Sequence, residues 1–225
     1  MVRGSITRSG EQCLAHIEED WRWRDADLRR LASIRAGRQS DALDRAWIMF
    51  AYSHWEGHFR KCAEVLLGYI CDGIRAKRFD GAALTDEVAR RLSFAVFKQK
   101  HGGGFSIDQF GDFLQDIQRP RFHEYGRIAE CVIVVEGNLN TERAVTICRN
   151  LGLDYSWFAL RRIIIDERVL AARNAIAHGS QRTGAGASVY PVDQDLVEAA
   201  DEIRDMTRQA KNRFSNAVVT HEFLR

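Results

Sequence analysis

The stretch from Asp41 to Ile74 constrains the fold most, because it is predicted to form one long helix that is apolar on two sides. Ser40 or Asp41 can cap its start. Two apolar stripes follow it at helical spacing, one through Leu43, Trp47, Phe50, His54, Cys62, Val65 and Tyr69, the other through Ile48, Tyr52, Trp55, Phe59 and Leu66. A helix with two apolar sides must be covered on both, so we predict that it lies at the centre of a helical bundle.

Amphipathic patterns of helical spacing cover much of the remaining chain. They predict helices over residues 10–35, 85–97, 106–118, 140–150, 155–177 and 192–214. Only 2 of the 225 residues are proline, which disfavours a β-sandwich, because such folds need a turn every ~8–12 residues. The β-branched run from Cys131 to Val135 is a candidate strand, or a buried extended segment. We therefore predict an all-α bundle.

Two of the predicted helices have informative boundaries and core residues. Asn140 can cap one helix, which Gly152 can end after Asn150. The stretch from Tyr155 to Ala177 is predicted to be a single helix that ends at Gly179. Its predicted core residues are Phe158, Ile163, Ile164 and Val169.

Charge and cysteine content exclude several classes of protein. The chain has 33 Lys and Arg against 31 Asp and Glu, which is too balanced for a polycation that coats nucleic acid. Its 5 cysteines are scattered without a C-x-x-C pair, so neither a disulfide framework nor a zinc ribbon is predicted. No apolar run reaches the ~20 residues of a membrane span, and the N-terminus is polar. We expect a cytoplasmic protein that does not bind membranes.

The segment from Arg173 to Gly179, R-N-A-I-A-H-G, carries the residues best suited to chemistry. Asn174 and His178 are one helical turn apart and therefore share a face. The long side chain of Arg173 can reach the same groove. The helix dipole in the last turn favours the charged form of His178.

This set of side chains suits a phosphodiester. An arginine can stabilise the negative charge that builds on the phosphate oxygens, and a histidine can move protons. RNA supplies its own nucleophile, the 2′-OH, so neither a metal nor a cofactor is needed. The alternative is structural, a helix end at which Arg173 and His178 bind the final carbonyls.

Several motifs, in their order along the chain, resemble those of the HEPN superfamily. R-N-A-I-A-H-G resembles the R-x-x-x-x-H signature, with a polar residue after the arginine. Residues 52–57, Y-S-H-W-E-G, resemble the Y-x-x-W-E-G pattern of the MAE-like HEPN branch, which is associated with toxins and phage defence. Residues 138–140 and 151–154 are similar to the linker and helix that precede the signature in that branch. The resemblance covers most of residues 40–180.

The resemblance implies a HEPN-type bundle and a metal-independent endoribonuclease. It implies a single HEPN-like domain over residues 1–225, in which we expect residues 75–130 to be an insertion. RNA would be cut by 2′-OH attack, leaving a 2′,3′-cyclic phosphate and a 5′-OH, in a cleft shared by two protomers of a homodimer. A cognate antitoxin or regulatory protein would be a further partner. The alternatives are a non-catalytic module that binds nucleotide, RNA or a partner protein, and a purely structural bundle.

The resemblance also assigns roles to individual residues. Arg173 and His178 match the catalytic pair, and Asn174 the supporting polar residue. Glu56 matches the acidic position of the second helix, where we expect it to orient Arg173 through an ion pair, or else to form an ordinary structural salt bridge. Ser180 stands where related toxins often carry a tyrosine that their partner modifies, which is a departure from the family pattern.

Two further groups of residues are candidate binding sites. The basic residues Arg90, Arg91, Lys98 and Lys100 form a patch that could hold the RNA backbone, or simply a solvated helix face. His54 and His58 have the spacing of a metal-binding pair. However, no glutamate directly follows the first histidine as in H-E-x-x-H, so we expect these histidines to pack between helices and predict no metal site.

Overall fold

The computed structural model of the protein describes residues 8–38, 40–101, 106, 109, 111, 113–115, 122–125, 128, 137–178 and 194–225. The helices in these ranges are α1 (Arg8–Ala36), α2 (Asp41–Arg75), α3 (Asp86–His101), α4 (Phe122–Tyr125), α5 (Thr141–Asn150), α6 (Ser156–Ala159), α7 (Ala171–Ala177) and α8 (Gln194–Thr220), with a 3-10 turn at Gly81–Ala83 and a π-helix at Ile163–Leu170. The described ranges contain no strand, and the all-α prediction is confirmed. The candidate strand at 131–135, the helix end at Gly179 and most of the predicted 106–118 helix lie outside the described residues.

Helix α2 is the central element, as its two apolar sides predicted. It packs along α1 on one side and along α8 on another, and α7 and the π-helix also contact it. Trp47, Tyr52 and Trp55 are fully buried along its length. The ring of Phe59 meets those of Phe158 and Phe214 edge-on, at 5.1 and 5.3 Å between centroids, so a single α2 residue joins three parts of the core.

A buried polar network joins α1 to α2. Asp20 accepts hydrogen bonds from Arg24 at 2.9 and 3.2 Å, and its Oδ2 lies 2.7 Å from Nδ1 of the fully buried His58. Burial opposes the ionised form of Asp20, but the hydrogen bonds from His58 and Arg24 outweigh it and lower the pKa of this carboxyl to about 2. His54, one turn before His58, instead packs its ring against Trp23 at 5.4 Å.

Helix α8 extends beyond its predicted end at residue 214 because Ala217 and Val218 continue its buried face. After α8 the chain turns back and pairs with the start of α3. The Thr85 N–H donates to the Phe223 carbonyl at 2.9 Å, and the Arg225 N–H donates to the Ala83 carbonyl at 2.7 Å. Among the described residues, no helix combines the length and the apolarity that a bilayer span requires.

Helix α3 lies inside residues 75–130, the region predicted to be an insertion. Its residues Val88, Leu92 and Val96 are buried in the same apolar core as α2, and it packs against α4 and α5. The described part of this region therefore shares the core of the bundle. Its being an insertion stays a prediction.

Helix α5 begins and ends as predicted. The Asn140 side chain accepts a hydrogen bond from the Arg143 N–H at 2.9 Å, which caps the first turn. At the other end the Leu153 N–H bonds to the Cys148 carbonyl at 2.9 Å, and Gly152 takes a φ of +70°. This is a Schellman motif, whose left-handed residue is best occupied by glycine.

The predicted continuous helix over 155–177 is wrong, because the structure divides this stretch into α6, the π-helix and α7. In a π-helix each hydrogen bond spans one residue more than in an α-helix, so the side-chain register shifts from the 3.6-residue spacing. Phe158 and Val169 are buried as predicted, whereas Ile163 is 60% exposed. Asp166 in the π-helix accepts hydrogen bonds from both the N–H and the hydroxyl of Thr141, at 2.8 and 3.1 Å, which ties this segment to the start of α5.

Replacing Gly152 by alanine is expected to destabilise the protein by about 1–3 kcal/mol, because a left-handed conformation is strained for any residue with a Cβ. The added Cβ would also lie 2.9 Å from the Thr85 hydroxyl oxygen. Gly68→Ala is the control, since Gly68 lies inside α2 with open space around it and alanine favours a helix. Urea denaturation of both variants measures the difference. Equal stability of the two would contradict the account of this turn.

Asp20→Asn is expected to lower stability near neutral pH by about 1–3 kcal/mol, since it weakens a buried charged network. The folded-state pKa of Asp20 lies below its unfolded value, so its contribution is complete above pH ~4 and is lost as the pH falls toward ~2. The variant should therefore show a shallower loss of stability over that range. Asp205→Asn, in an exposed pair with Arg208, is the control that should change little.

Candidate active site

Arg173 is held half-buried at the junction of α7 and α2. Its guanidinium carbon lies 5.5 Å from the centre of the Tyr52 ring, a cation–π contact. Its Nη1 donates to Oδ1 of the neighbouring Asn174 at 3.0 Å. Its Nε is buried and has no hydrogen-bond partner among the described residues. The guanidinium is thus fixed on one side, while its Nε–H is still able to donate a hydrogen bond.

Asn174 takes one orientation because of its two neighbours. Its Oδ1 accepts from Arg173 and also from Nδ2 of Asn138, each at 3.0 Å. A guanidinium can only donate, so the Asn174 atom that faces it must be the oxygen. The Asn174 NH₂ group is consequently left as a donor, and within the described ranges nothing accepts a hydrogen bond from it.

His178 stands at the end of α7, one turn beyond Asn174. Its N–H donates to the Asn174 carbonyl at 3.0 Å, which confirms that the two residues share a face. The side chain is exposed. In the described part of the chain neither His178 nor Arg173 uses its side chain to bind a carbonyl of the last turn, so the structural helix-capping arrangement is not formed.

Glu56 does not form the expected ion pair with Arg173. Its Oε1 instead accepts from Arg60 Nη2 at 2.6 Å and from the Leu139 N–H at 3.2 Å. Arg60 is one turn further along α2 and therefore lies on the same face as Glu56. Glu56 is still close to the site, because it lies one turn after Tyr52 on α2. Burial and then the charge of Glu56 raise the pKa of the Tyr52 hydroxyl, while the charge of Arg173 lowers it.

Residues 137–140, which we call the linker segment, are anchored to α2 beside Arg173. The Tyr52 hydroxyl donates to the Leu139 carbonyl at 3.1 Å, and Arg60 Nη2 donates to the Gly137 carbonyl at 2.6 Å. Arg143 donates to the Asn138 carbonyl. Gly137 has a φ of +73°, and an added Cβ would lie 2.9 Å from the Arg143 guanidinium, so glycine is favoured there.

The chain matches the model of a known protein family. The family model described as RiboL-PSP-HEPN matches residues 19–216 of the chain. The chain belongs to the RiboL-PSP-HEPN family. Its membership of the HEPN superfamily and its HEPN-type fold are thereby confirmed, although this family name differs from the MAE-like branch that residues 52–57 resemble. No curated protein and no solved structure matches the chain.

Family membership gives the function in coarse terms. A HEPN domain indicates a nuclease or a nucleotide-binding module, and HEPN domains are often ribonucleases. The match includes all of α2 and α7 and the linker segment, so the geometry described above belongs to the HEPN domain itself.

The predicted substrate-binding residues of this HEPN domain lie on α3, which packs against α4 and α5. Arg90 is within 3.4 Å of Glu87, and Lys100 is within 2.7 Å of Glu124, so acids partly neutralise the basic patch. Arg91 is half-buried and Lys98 is exposed. No contact in the described structure joins these four residues to Arg173, and their role in binding RNA stays a prediction.

Asn138, Arg60 and Arg143 also belong to the site, although the sequence motifs do not mark them as site residues. Asn138 lies in the predicted linker, and nothing in a sequence shows that its amide reaches Asn174. Arg60 could have been found, because a glutamate followed four residues later by an arginine is a favourable pair on a helix.

For the RNA ligand that the motif predicts, Asn174→Asp is expected to weaken binding about 10- to 100-fold, because it keeps the acceptor that faces Arg173 and Asn138 but replaces the free NH₂ donor by a carboxylate oxygen. The measurement is fluorescence anisotropy with a 2′-O-methyl RNA, which cannot undergo 2′-OH attack. Asn212→Asp, on exposed α8 surface, makes the same change in net charge and should bind as the parent does. Equal binding by both variants would contradict the assigned orientation.

Proposed function

We propose that this protein is a metal-independent endoribonuclease of a toxin–antitoxin or phage-defence system. One observation carries the proposal: a half-buried arginine, an amide with a free donor and an exposed histidine lie within about one and a half turns of helix. Buried cations and oriented donors stabilise developing negative charge better than solvated ones do. The proposal is supported further by membership of a superfamily that includes many ribonucleases.

The reaction follows from the chemistry of RNA. The 2′-oxygen attacks the adjacent phosphorus and the bond to the 5′-oxygen breaks, which leaves a 2′,3′-cyclic phosphate and a 5′-OH. One proton leaves the 2′-OH and one is delivered to the 5′-oxygen. Arg173 and the Asn174 NH₂ would bind the non-bridging oxygens, whose negative charge increases in the transition state. His178 would transfer a proton.

The need for two proton transfers supports a homodimer. One chain brings a single histidine at the R-x-x-x-x-H signature, whereas the reaction uses both a general base and a general acid. In a composite site the second copy of His178 would fill the other role, and RNA would lie between the protomers. A cognate antitoxin or regulatory protein would then act by covering the cleft or separating the two copies.

His178→Ala and Arg173→Ala are each expected to reduce RNA cleavage about 100-fold or more, because each removes a group that acts in the transition state. Cleavage of total cellular RNA is followed in the presence of EDTA. His16→Ala and Arg208→Ala, which remove exposed residues of the same types, are the controls and should cleave as the parent does.

Thermal unfolding of the same variants separates catalysis from stability. His178 is exposed and has no side-chain partner in the described structure, so His178→Ala should unfold near the parent temperature. Full activity of His178→Ala would overturn the assignment. A parent that binds nucleotide tightly but cuts no RNA would instead support the non-catalytic binding module.

A further inference from the structure

We propose that Asn138 is a positioning residue: its amide fixes Asn174, and through it the Arg173 guanidinium, while Glu56 and Arg60 hold the Asn138 backbone against α2. The inference rests on the proposed function and assigns Glu56 a role other than direct pairing with Arg173. Three sets of contacts carry it, at Asn174, along α2 and at Tyr52.

The first set is at the Asn174 amide. Oδ1 of Asn174 accepts from Asn138 Nδ2 and from Arg173 Nη1, each at 3.0 Å, which uses both lone pairs of that oxygen. Rotating the amide by half a turn would place its NH₂ group against two donors. Asn138 thus helps to determine which way the Asn174 NH₂ points, and it restrains the acceptor to which the guanidinium is bound.

The second set anchors the linker segment. Tyr52, Glu56 and Arg60 are spaced by four residues on α2 and form one row, a turn apart. They bind the Leu139 carbonyl, the Leu139 N–H and the Gly137 carbonyl respectively. The peptide groups on both sides of Asn138 are therefore attached to the rigid central helix.

The Asn138 carbonyl is itself bound by Arg143, and Leu139 is fully buried. The backbone of Asn138 is therefore held from α2 and from α5, and its side chain reaches Asn174 from this anchored backbone. This makes Asn138 a fixed reference against which the site is aligned.

The third set is at Tyr52, which couples the linker segment directly to the cation. Its hydroxyl donates to Leu139 while its ring face contacts the Arg173 guanidinium at 5.5 Å. Arg173 is consequently restrained from two directions, by Tyr52 and by the chain Asn138–Asn174. Glu56 contributes by holding the Leu139 N–H, which explains how an acid at this position supports Arg173 without touching it.

Asn138→Ala is expected to lower kcat about 10- to 100-fold and to change KM less than threefold. The charges of the site are unchanged, but a small misplacement of a catalytic group is costly. Asn138→Asp is the second variant, similar in shape, whose carboxylate cannot donate to Asn174 and should draw the guanidinium toward itself. Asn212→Ala, a remote exposed asparagine, is the control.

A double-mutant cycle tests whether Asn138 acts through Asn174. In the Asn174→Ala background, adding Asn138→Ala should change kcat less than twofold, because the residue it positions is already absent. An equal loss from Asn138→Ala in both backgrounds would overturn the inference, since Asn138 would then act by another route. An unchanged kcat in both Asn138 variants would also overturn it.

A readout without cleavage keeps this inference separate from the proposed function. The Arg173 Nε–H is buried, so NMR can follow its hydrogen exchange with solvent. Exchange should become at least tenfold faster in Asn138→Ala and stay unchanged in Asn212→Ala. If the parent cuts no RNA but the variants show these exchange rates, the proposed function is overturned and the positioning role of Asn138 stands. Unchanged exchange in Asn138→Ala would refute that role.

Discussion

The row of Tyr52, Glu56 and Arg60 on α2 is the constraint on which the candidate site depends. The other faces of α2 pack against α1 and α8, which bury the helix in the core and hold it in place. Because one rigid helix binds the linker segment and also contacts Arg173, the two parts of the site are positioned relative to a common element. The packing that holds α2 in the bundle therefore also aligns the hydrogen-bonded residues Asn138, Asn174 and Arg173.

Two sets of polar groups around α2 are used differently. At the α1–α2 interface, the Asp20 carboxylate is hydrogen-bonded to both His58 and Arg24, and this network is structural. At the other face, the Arg173 Nε, the Asn174 NH₂ and the His178 ring have no partners within the described ranges. Polar groups that fold into place but retain hydrogen-bonding capacity are what a ligand-binding or catalytic site requires.

Much of this arrangement is predictable from the sequence. The two apolar stripes of α2 predict its central place, Asn140 and Gly152 predict the ends of α5, and the R-N-A-I-A-H-G motif predicts a shared face for Asn174 and His178. The π-helix is not predictable in this way, because spacing arguments assume 3.6 residues per turn. Of the two roles predicted for Glu56, the structure shows the ordinary salt bridge, to Arg60, and not the pair with Arg173. Its contact with the Leu139 N–H is not predictable, because the sequence does not show where the backbone of a distant segment passes.

The chemistry of the RNA ends shows whether this site cuts RNA by 2′-OH attack without a metal. RNA would be incubated with the protein in EDTA, and the fragments analysed by mass spectrometry, with His178→Ala as the blank. The account predicts 2′,3′-cyclic phosphate and 5′-OH ends from the parent and no fragments from the variant. Ends with a 5′-phosphate and a 3′-OH, or cleavage that requires added Mg²⁺, would contradict it.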